Sequence, residues 1–179
     1  MGRTKPLVPW VTPQGPRPLI VAAYDAIEPI CQDMVAVLGH EAVAVAAALI
    51  GRPYHQVLSD PDAAMFESIR AGLAAAAQID PQATVVLQPG DHPDVAAATL
   101  KALIAAAAAH RDCAVMPEFE HHGGHPVLIP PSVVRLVLQA ECPGGLRQFW
   151  IDHPGLCVRL PVDDSGVIRD INTPEQLNG

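Results

Sequence analysis

The chain has 179 residues, of which 50% are hydrophobic and only 4% aromatic, and its formal net charge is -8. This length and apolar content predict one globular domain, residues 1–179, with a sizeable core. The negative charge argues against non-specific binding to nucleic acid or to an anionic membrane, because both require clustered Lys and Arg. We therefore expect neither partner.

The cysteines and the first residues indicate the compartment. Cys31, Cys113, Cys142 and Cys157 are scattered, with no Cys-x-x-Cys pair. Such spacing is typical of free thiols in a reducing compartment. The N-terminus lacks the apolar core of a signal peptide. A cytoplasmic location is therefore expected.

The pattern of elements predicts an α/β fold. Residues 1–17 are rich in proline and predict a loop. Helices and strands alternate after it. The predicted helices are 19–30, 42–50, 64–77, 95–109, 132–139 and 145–151, and Thr173 and Pro174 predict a last helical turn. The predicted strands are 34–38, 54–58, 84–87, 113–116 (broken at Pro117), 127–129 and 156–160. This alternation predicts a mostly parallel sheet with helices on both faces.

The most informative stretch is the apolar strand 84–87 and the acid that follows it. Asp91 lies between two prolines just past the carboxyl end of this predicted strand. Ligands bind at that edge of open α/β sheets, where helix N-termini also point their amides. Asp91 is therefore a candidate site residue. The alternative is an ordinary turn or capping acid, a common role for Asp.

Three separated motifs point to one family. They are Ser68-Ile69-Arg70-Ala71-Gly72-Leu73, then Pro89-Gly90-Asp91-His92-Pro93, then Gly124-His125-Pro126 followed at a distance by Asp170-Ile171-Asn172-Thr173-Pro174-Glu175. In this order, the chain resembles the MobA-like nucleotidyltransferases, which include molybdenum cofactor cytidylyltransferase and guanylyltransferase. The resemblance covers essentially the whole chain. It implies one nucleotidyltransferase domain with a three-layer, Rossmann-like sheet.

The resemblance also predicts an unusual start. Met1-Gly2-Arg3-Thr4-Lys5-Pro6-Leu7 is similar to the end of the family's glycine-rich phosphate-binding loop. By this resemblance the family's first strand is missing. That strand lies between the strands predicted at 34–38 and 84–87. We therefore expect a sheet with a central gap, or one closed by movement of its neighbours.

The same resemblance implies a phosphate and metal site. Lys5 matches the lysine that reaches the nucleotide phosphates, and Arg3 lies close enough to assist it. Asp91 matches the aspartate that holds Mg²⁺. Asp170 matches the late acid that completes the metal site, a role that Asn172 can share. Lys5, Asp91 and Asp170 are thus the expected catalytic residues.

Two further groups of residues are expected to bind the substrates. Ser68 and Gly72 match a helix start near the base and ribose. Gly124, His125 and Pro126 match the loop that faces the acceptor. The expected substrates are CTP or GTP and molybdopterin, with pyrophosphate as the by-product, Mg²⁺ as the cation and Mn²⁺ as its alternative. A molybdoenzyme or its chaperone is a further expected partner.

The chemistry explains these residue types independently of the family. A hard cation between the α-phosphate and the leaving pyrophosphate needs one or two carboxylates and several waters. A phosphate acceptor is already anionic at neutral pH and needs no general base, so catalysis is positioning plus electrostatics. Two other functions remain open. The chain can be a truncated, non-catalytic homologue that binds a nucleotide or a partner, or a nucleotidyltransferase for a sugar phosphate.

The polar segment 118–126 has three interpretations. It can be the acceptor loop, a merely solvated loop, or a zinc site formed by His121, His122 and His125 with neighbouring glutamates. Zinc ligation by His121 and His125 requires a helix, which Gly123 and Gly124 disfavour. His92, beside Asp91, is expected to line the site rather than to bind the metal.

Overall fold

The computed structural model describes residues 5–12 and 15–170. That part of the chain contains six α-helices and nine β-strands. The helices are Leu19–Ile27 (α1), Ala42–Ala48 (α2), Met65–Ile79 (α3), Ala97–Ala109 (α4), Pro131–Gln139 (α5) and Gly145–Asp152 (α6). The strands are Pro9–Thr12 (β1), Gly15–Pro18 (β2), Val35–Leu38 (β3), His55–Leu58 (β4), Val85–Leu87 (β5), Ala114–Phe119 (β6), His122–Gly123 (β7), Val127–Ile129 (β8) and Cys157–Pro161 (β9).

The predicted alternation from residue 19 onwards is confirmed, with element ends shifted by a few residues. Each predicted helix and each predicted strand within the described ranges has its counterpart. The helical turn predicted at Thr173 and Pro174 lies outside these ranges. Among the residues that the structure describes, every helix is too short or too polar to span a bilayer.

The proline-rich start is not the irregular loop that we predicted. β1 and β2 form an antiparallel ribbon in which Pro9 pairs with Pro18 and Val11 with Pro16. Each strand of a two-stranded ribbon has an outer edge at which no ladder hydrogen bond is made. A proline at that edge is tolerated, because the N–H that it lacks would have no ladder partner. Trp10 of the ribbon is buried against Leu19 of α1. The ribbon is therefore fixed to the first helix.

The predicted break at Pro117 is also wrong. β6 continues through Pro117 to Phe119, and Pro117 is fully buried. The ladder between β6 and β8 includes only Val115, so a residue without an N–H at position 117 leaves no partner unsatisfied on that side. The Pro117 carbonyl still accepts a hydrogen bond from the Gly124 amide at 2.8 Å.

The larger sheet has five strands, four of them in the order β5-β8-β6-β7, and β9 pairs with β6. β5, β6 and β9 run in the same direction, while β8 lies antiparallel between β5 and β6. The carboxyl ends of β5, β6 and β9 therefore meet at one edge of the sheet. Asp91, the 118–126 hairpin and the 162–170 segment all follow these ends.

Helices cover both faces of this sheet. One face packs against α3, α5 and α6 in a cluster that contains Phe66, Leu73, Val133 and Phe149. On the other face, Leu103 of α4 packs against Val115 and Leu128. The fold is thus the three-layer α/β arrangement that the sequence predicts.

The sheet is interrupted where the resemblance predicts a gap. β3 and β4 form a separate parallel pair. Within the described residues, no ladder of hydrogen bonds joins β3 to β5. α3 lies against both parts, because it contacts β3 and also contributes Phe66 and Leu73 to the core of the larger sheet. Packing on α3, rather than backbone pairing, holds the two parts together.

Candidate active site

Lys5 and Asp91 meet at the carboxyl edge of β5. The Lys5 ammonium nitrogen lies 2.6 Å from Asp91 Oδ2, although the two residues are 86 positions apart in the chain. Their side chains are 31% and 27% exposed, so the pair is partly shielded but open to solvent. Asp91 is thus paired with the ammonium group of Lys5, and solvent reaches both groups. Such a carboxylate can exchange the ammonium for a metal ion.

His92 is the residue next to Asp91, and its ring lies beside the Asp91 carboxylate. Its Nε2 lies 3.9 Å from Asp91 Oδ1, and its side chain is 10% exposed. Burial lowers the pKa of His92, while the charges of both Asp91 and Asp170 act on the imidazole to raise it. Both carboxylates therefore act on this ring through their charge. His92 thus lies beside Asp91, and its role in lining the site stays a prediction.

A short segment before Asp170 joins two neighbouring loops. The Val167 carbonyl accepts a hydrogen bond from the His125 amide at 2.8 Å. A Cβ on Gly124 would overlap that carbonyl oxygen, and one on Gly166 would overlap the Asp94 carbonyl oxygen. Only glycine permits these two approaches of backbone to backbone. Gly124 and Gly166 thereby bring the 124–126 loop and the Asp91 loop into contact with the same segment.

His125 lies against His92. Its ring centroid lies 5.0 Å from that of His92. Burial, together with proximity to His92, lowers the pKa of His125 to about 4. Both rings are therefore neutral at neutral pH. Pro126, which follows His125, is buried.

These depressed pKa values predict acid-sensitive stability. An unfolded histidine takes up a proton near its ordinary pKa of 6.5, whereas folded His125 resists protonation until about 4. The stability that neutral His125 contributes is thus fully present above pH 6.5 and is lost as pH falls towards 4. Urea unfolding at about pH 7.5 and about pH 5 should show a larger loss for wild type than for His125→Gln. The exposed His121→Gln should behave like wild type, and equal losses in all three proteins would contradict this prediction.

Ser68 and Gly72 lie on a different part of the molecule, in α3. The Ser68 hydroxyl is 2.9 Å from that of Ser59, which follows β4. A Cβ on Gly72 would lie 2.9 Å from Val37 Cγ2, so this glycine permits close packing of α3 on β3. A nucleotide-binding role for these two residues stays a prediction. Arg3 and Asn172, also predicted for the site, lie outside the described residues.

The donor set fits a hard divalent cation. Carboxylates suit Mg²⁺ or Mn²⁺, and Mg²⁺ commonly takes one or two of them together with waters and substrate phosphates. Asp91 already forms an ion pair with one cation, the ammonium group of Lys5. In the described part of the chain, no group of three or more His, Cys, Asp or Glu side chains is arranged around a metal position. Asp91 and Asp170 would therefore hold the ion jointly with the substrate.

The zinc interpretation required a helix at 118–126. The segment is instead a hairpin: β6 and β7 pair through Phe119 and His122, and Glu120 and His121 form the turn with positive φ angles of 48° and 67°. His121 and His122 are exposed at the tip, whereas His125 turns inward to His92. The hairpin thus separates the histidines that the zinc interpretation grouped together.

Sequence reasoning missed the residues that hold this edge together. Arg169 Nη1 lies 2.8 Å from Asp94 Oδ2, and the Asp164 carboxylate accepts a hydrogen bond from Thr99 Oγ1 at 2.6 Å. The one local signal was Asp163-Asp164-Ser165-Gly166, a composition typical of a turn. Nothing in it indicates a partner 65 positions away.

Comparisons with known proteins identify the family and the fold of the chain. A sequence model described as the MobA-like NTP transferase domain matches residues 1–156. No curated protein sequence matches the chain. Among solved structures, Rv0371c from Mycobacterium tuberculosis H37Rv in complex with manganese is 25% identical, with a TM-score of 0.76 over 99% of this chain and 91% of that one.

Two archaeal structures share the fold at lower identity. A nucleotidyl transferase from Methanothermobacter thermautotroptrophicus is 21% identical, with a TM-score of 0.70 over 97% of this chain and 77% of that one. Molybdopterin-guanine dinucleotide biosynthesis protein A from Archaeoglobus fulgidus is 20% identical, with a TM-score of 0.67 over 99% and 88%. The family model spans most of the chain, and the protein therefore belongs to the MobA-like NTP transferase family.

Proposed function

We propose that this protein transfers CMP or GMP from CTP or GTP to the phosphate of an acceptor, with molybdopterin as the leading candidate. The observation that carries the proposal is the Lys5–Asp91 pair at the sheet edge, with Asp170 near the same imidazole. The name of the Archaeoglobus relative supports a molybdopterin acceptor, and the manganese complex of the Mycobacterium relative supports a divalent cation.

The proposed reaction needs few groups from the protein. An anionic oxygen of the acceptor phosphate attacks the α-phosphorus of the triphosphate. The bond from that phosphorus to the oxygen bridging the β-phosphate breaks, and pyrophosphate leaves with the electron pair. No proton has to be removed from the acceptor, so alignment and charge stabilisation account for the catalysis. A bound divalent cation would neutralise the charge that develops on the phosphates.

Each charged residue has a distinct role in this proposal. Lys5 leaves Asp91 and donates to the phosphate oxygens, with Arg3 assisting. Asp91 and Asp170 then hold the cation, and Asn172 is a further candidate oxygen donor. Since Lys5 lies 2.6 Å from Asp91, a short movement of its flexible side chain is enough to exchange the carboxylate for a phosphate.

The two substrates would occupy different sides of the site. Ser68 and Gly72, in α3, are proposed to lie near the base and ribose. Gly124, His125 and Pro126 are proposed to face the acceptor. The rings of His92 and His125 contact each other and are neutral, so they neither attract nor repel a nearby phosphate by charge.

The test is a direct assay. The protein is incubated with each α-labelled triphosphate, with Mg²⁺ or Mn²⁺, and with purified molybdopterin; labelled dinucleotide product and pyrophosphate are then measured. Product from one of CTP or GTP supports the proposal. Product only with sugar phosphates would replace the acceptor. Nucleotide binding without turnover on any acceptor would favour a non-catalytic homologue.

The division between the two substrates makes a kinetic prediction for His125. Its amide donates to the Val167 carbonyl and its ring contacts that of His92, on the side proposed for the acceptor. His125→Ala should raise the KM of the acceptor about tenfold or more and leave that of the nucleotide within about twofold. His121→Ala, an exposed change in the same hairpin, is the matched control. Equal effects of His125→Ala on both KM values would contradict the division.

A further inference from the structure

Asp164, which follows β9, is bound to the start of helix α4. Its Oδ2 accepts hydrogen bonds from the Ala96 amide at 2.9 Å and from Thr99 Oγ1 at 2.6 Å. Its Oδ1 accepts a bond from the Gly166 amide at 3.0 Å. The carboxylate thus joins α4, which follows the Asp91 loop, to the 3-10 turn that precedes Asp170.

The first turn of α4 has no cap of its own. Its N-cap residue is Ala96, which lacks a side-chain acceptor, and no acidic residue stands in the first turn. The N-terminal amides of a helix attract negative charge, so a carboxylate placed there is stabilised. Asp164 supplies that charge across 68 positions of the chain. Thr99 is buried, which removes water as a competitor for the hydroxyl.

The 3-10 turn Ser165–Ile168 and the residue after it contact Asp94 at two more points. Gly166 packs directly on the Asp94 backbone, and Arg169 Nη1 forms an ion pair with Asp94 Oδ2 at 2.8 Å. Asp94 lies three positions after Asp91, and Asp170 directly follows Arg169. The contacts at Asp164, Gly166 and Arg169 therefore join the segment before Asp170 to the residues that follow Asp91.

We propose that Asp164 is a positioning residue for the metal site. By holding the turn Ser165–Ile168 against α4 and the Asp91 loop, it sets the separation of Asp91 and Asp170 that the cation requires. The inference rests on the proposed function, since it concerns the same two carboxylates. Asp164 itself does not bind the cation in this scheme.

Mn²⁺ binding to the protein alone tests this role without depending on turnover. Asp164→Ala removes all three interactions, and Thr99→Val removes one at nearly constant volume. Residues that orient metal ligands typically contribute 10–100-fold to metal affinity. We expect the Mn²⁺ dissociation constant, measured by paramagnetic resonance or calorimetry, to rise by about 10-fold or more in Asp164→Ala and several-fold in Thr99→Val. The double variant should lose little beyond Asp164→Ala, because both changes remove the same contact.

Two comparisons separate positioning from simple loss of stability. All proteins are first shown to be folded by circular dichroism at the assay temperature. Asp163→Ala, an exposed neighbour, should match wild type. In turnover assays, the KM for Mn²⁺ should be higher in Asp164→Ala than in wild type. In Asp164→Asn, which keeps one oxygen acceptor, this KM should be closer to that of wild type. If Asp164→Ala does not fold, the result for Thr99→Val decides.

The outcomes distinguish this inference from the proposed function. Folded Asp164→Ala and Thr99→Val with wild-type Mn²⁺ affinity, while Asp91→Asn loses Mn²⁺, would leave the metal site standing and overturn the role of Asp164. A wild type that binds Mn²⁺ no better than Asp91→Asn would refute the metal site and, with it, the inference.

Discussion

Replacing Asp91 with asparagine should lower kcat for nucleotidyl transfer by at least about 100-fold while the protein stays folded. Asparagine keeps the shape of the side chain but not its charge. The site then loses one of the two carboxylates proposed for the cation, and Lys5 loses its partner at 2.6 Å. An ion pair with this much solvent contact contributes only about 1 kcal/mol or less to stability. The change should therefore act on catalysis far more than on folding.

The measurement compares kcat as a function of Mn²⁺ and Mg²⁺ concentration in Asp91→Asn, Asp91→Ala and wild type. Asp112→Asn is the matched control, because it removes one exposed negative charge elsewhere on the molecule and should stay within about twofold of wild type. Near-normal, metal-dependent turnover in either Asp91 variant would remove Asp91 from the site and return it to the turn or capping role.

Replacing Lys5 with methionine should have opposite effects on the reaction and on metal binding. The kcat/KM for the triphosphate should fall by about 100-fold, because one donor to the developing phosphate charge is lost. Free Mn²⁺ should bind more tightly, by up to about fivefold, because the ammonium no longer competes for Asp91. Methionine retains much of the apolar length of lysine, so packing of the side chain changes little.

Lys101, the one other lysine of the chain, supplies the control. It is exposed on α4, and Lys101→Met should change neither quantity beyond about twofold. Steady-state kinetics and Mn²⁺ titration on the same preparations give both numbers. A Lys5→Met variant in which Mn²⁺ affinity and kcat/KM fall together would mean that Lys5 supports the site structurally rather than by exchanging Asp91 for phosphate.

The overall class of the fold was readable from local patterns. Strand 84–87 is a short apolar run and α4 is rich in alanine, and both were found within a few residues of their structural bounds. Such patterns report which residues are buried relative to their neighbours in the chain. The place of Asp91 just past β5 follows directly, because the end of an apolar run marks the end of a buried strand.

Errors arose where burial did not determine the outcome. The β1–β2 ribbon was missed because prolines are tolerated at the outer edges of a two-stranded sheet. The prediction ended β6 too early, at Pro117. Pro117 is tolerated within the strand because the ladder between β6 and β8 includes only Val115. The antiparallel direction of β8 carries no signature in its three residues, Val127–Ile129, since a buried strand is apolar in either direction.

The sequence by itself determined an α/β chain of this family with an acid at a strand's carboxyl end, because periodicity, proline and glycine act over a few residues. Tertiary structure alone decided that Lys5 pairs with Asp91, that the His92 ring contacts that of His125, and that Asp164 caps α4. These pairs join residues tens of positions apart. Their partners are chosen by the direction and packing of whole elements, which no local window of sequence contains.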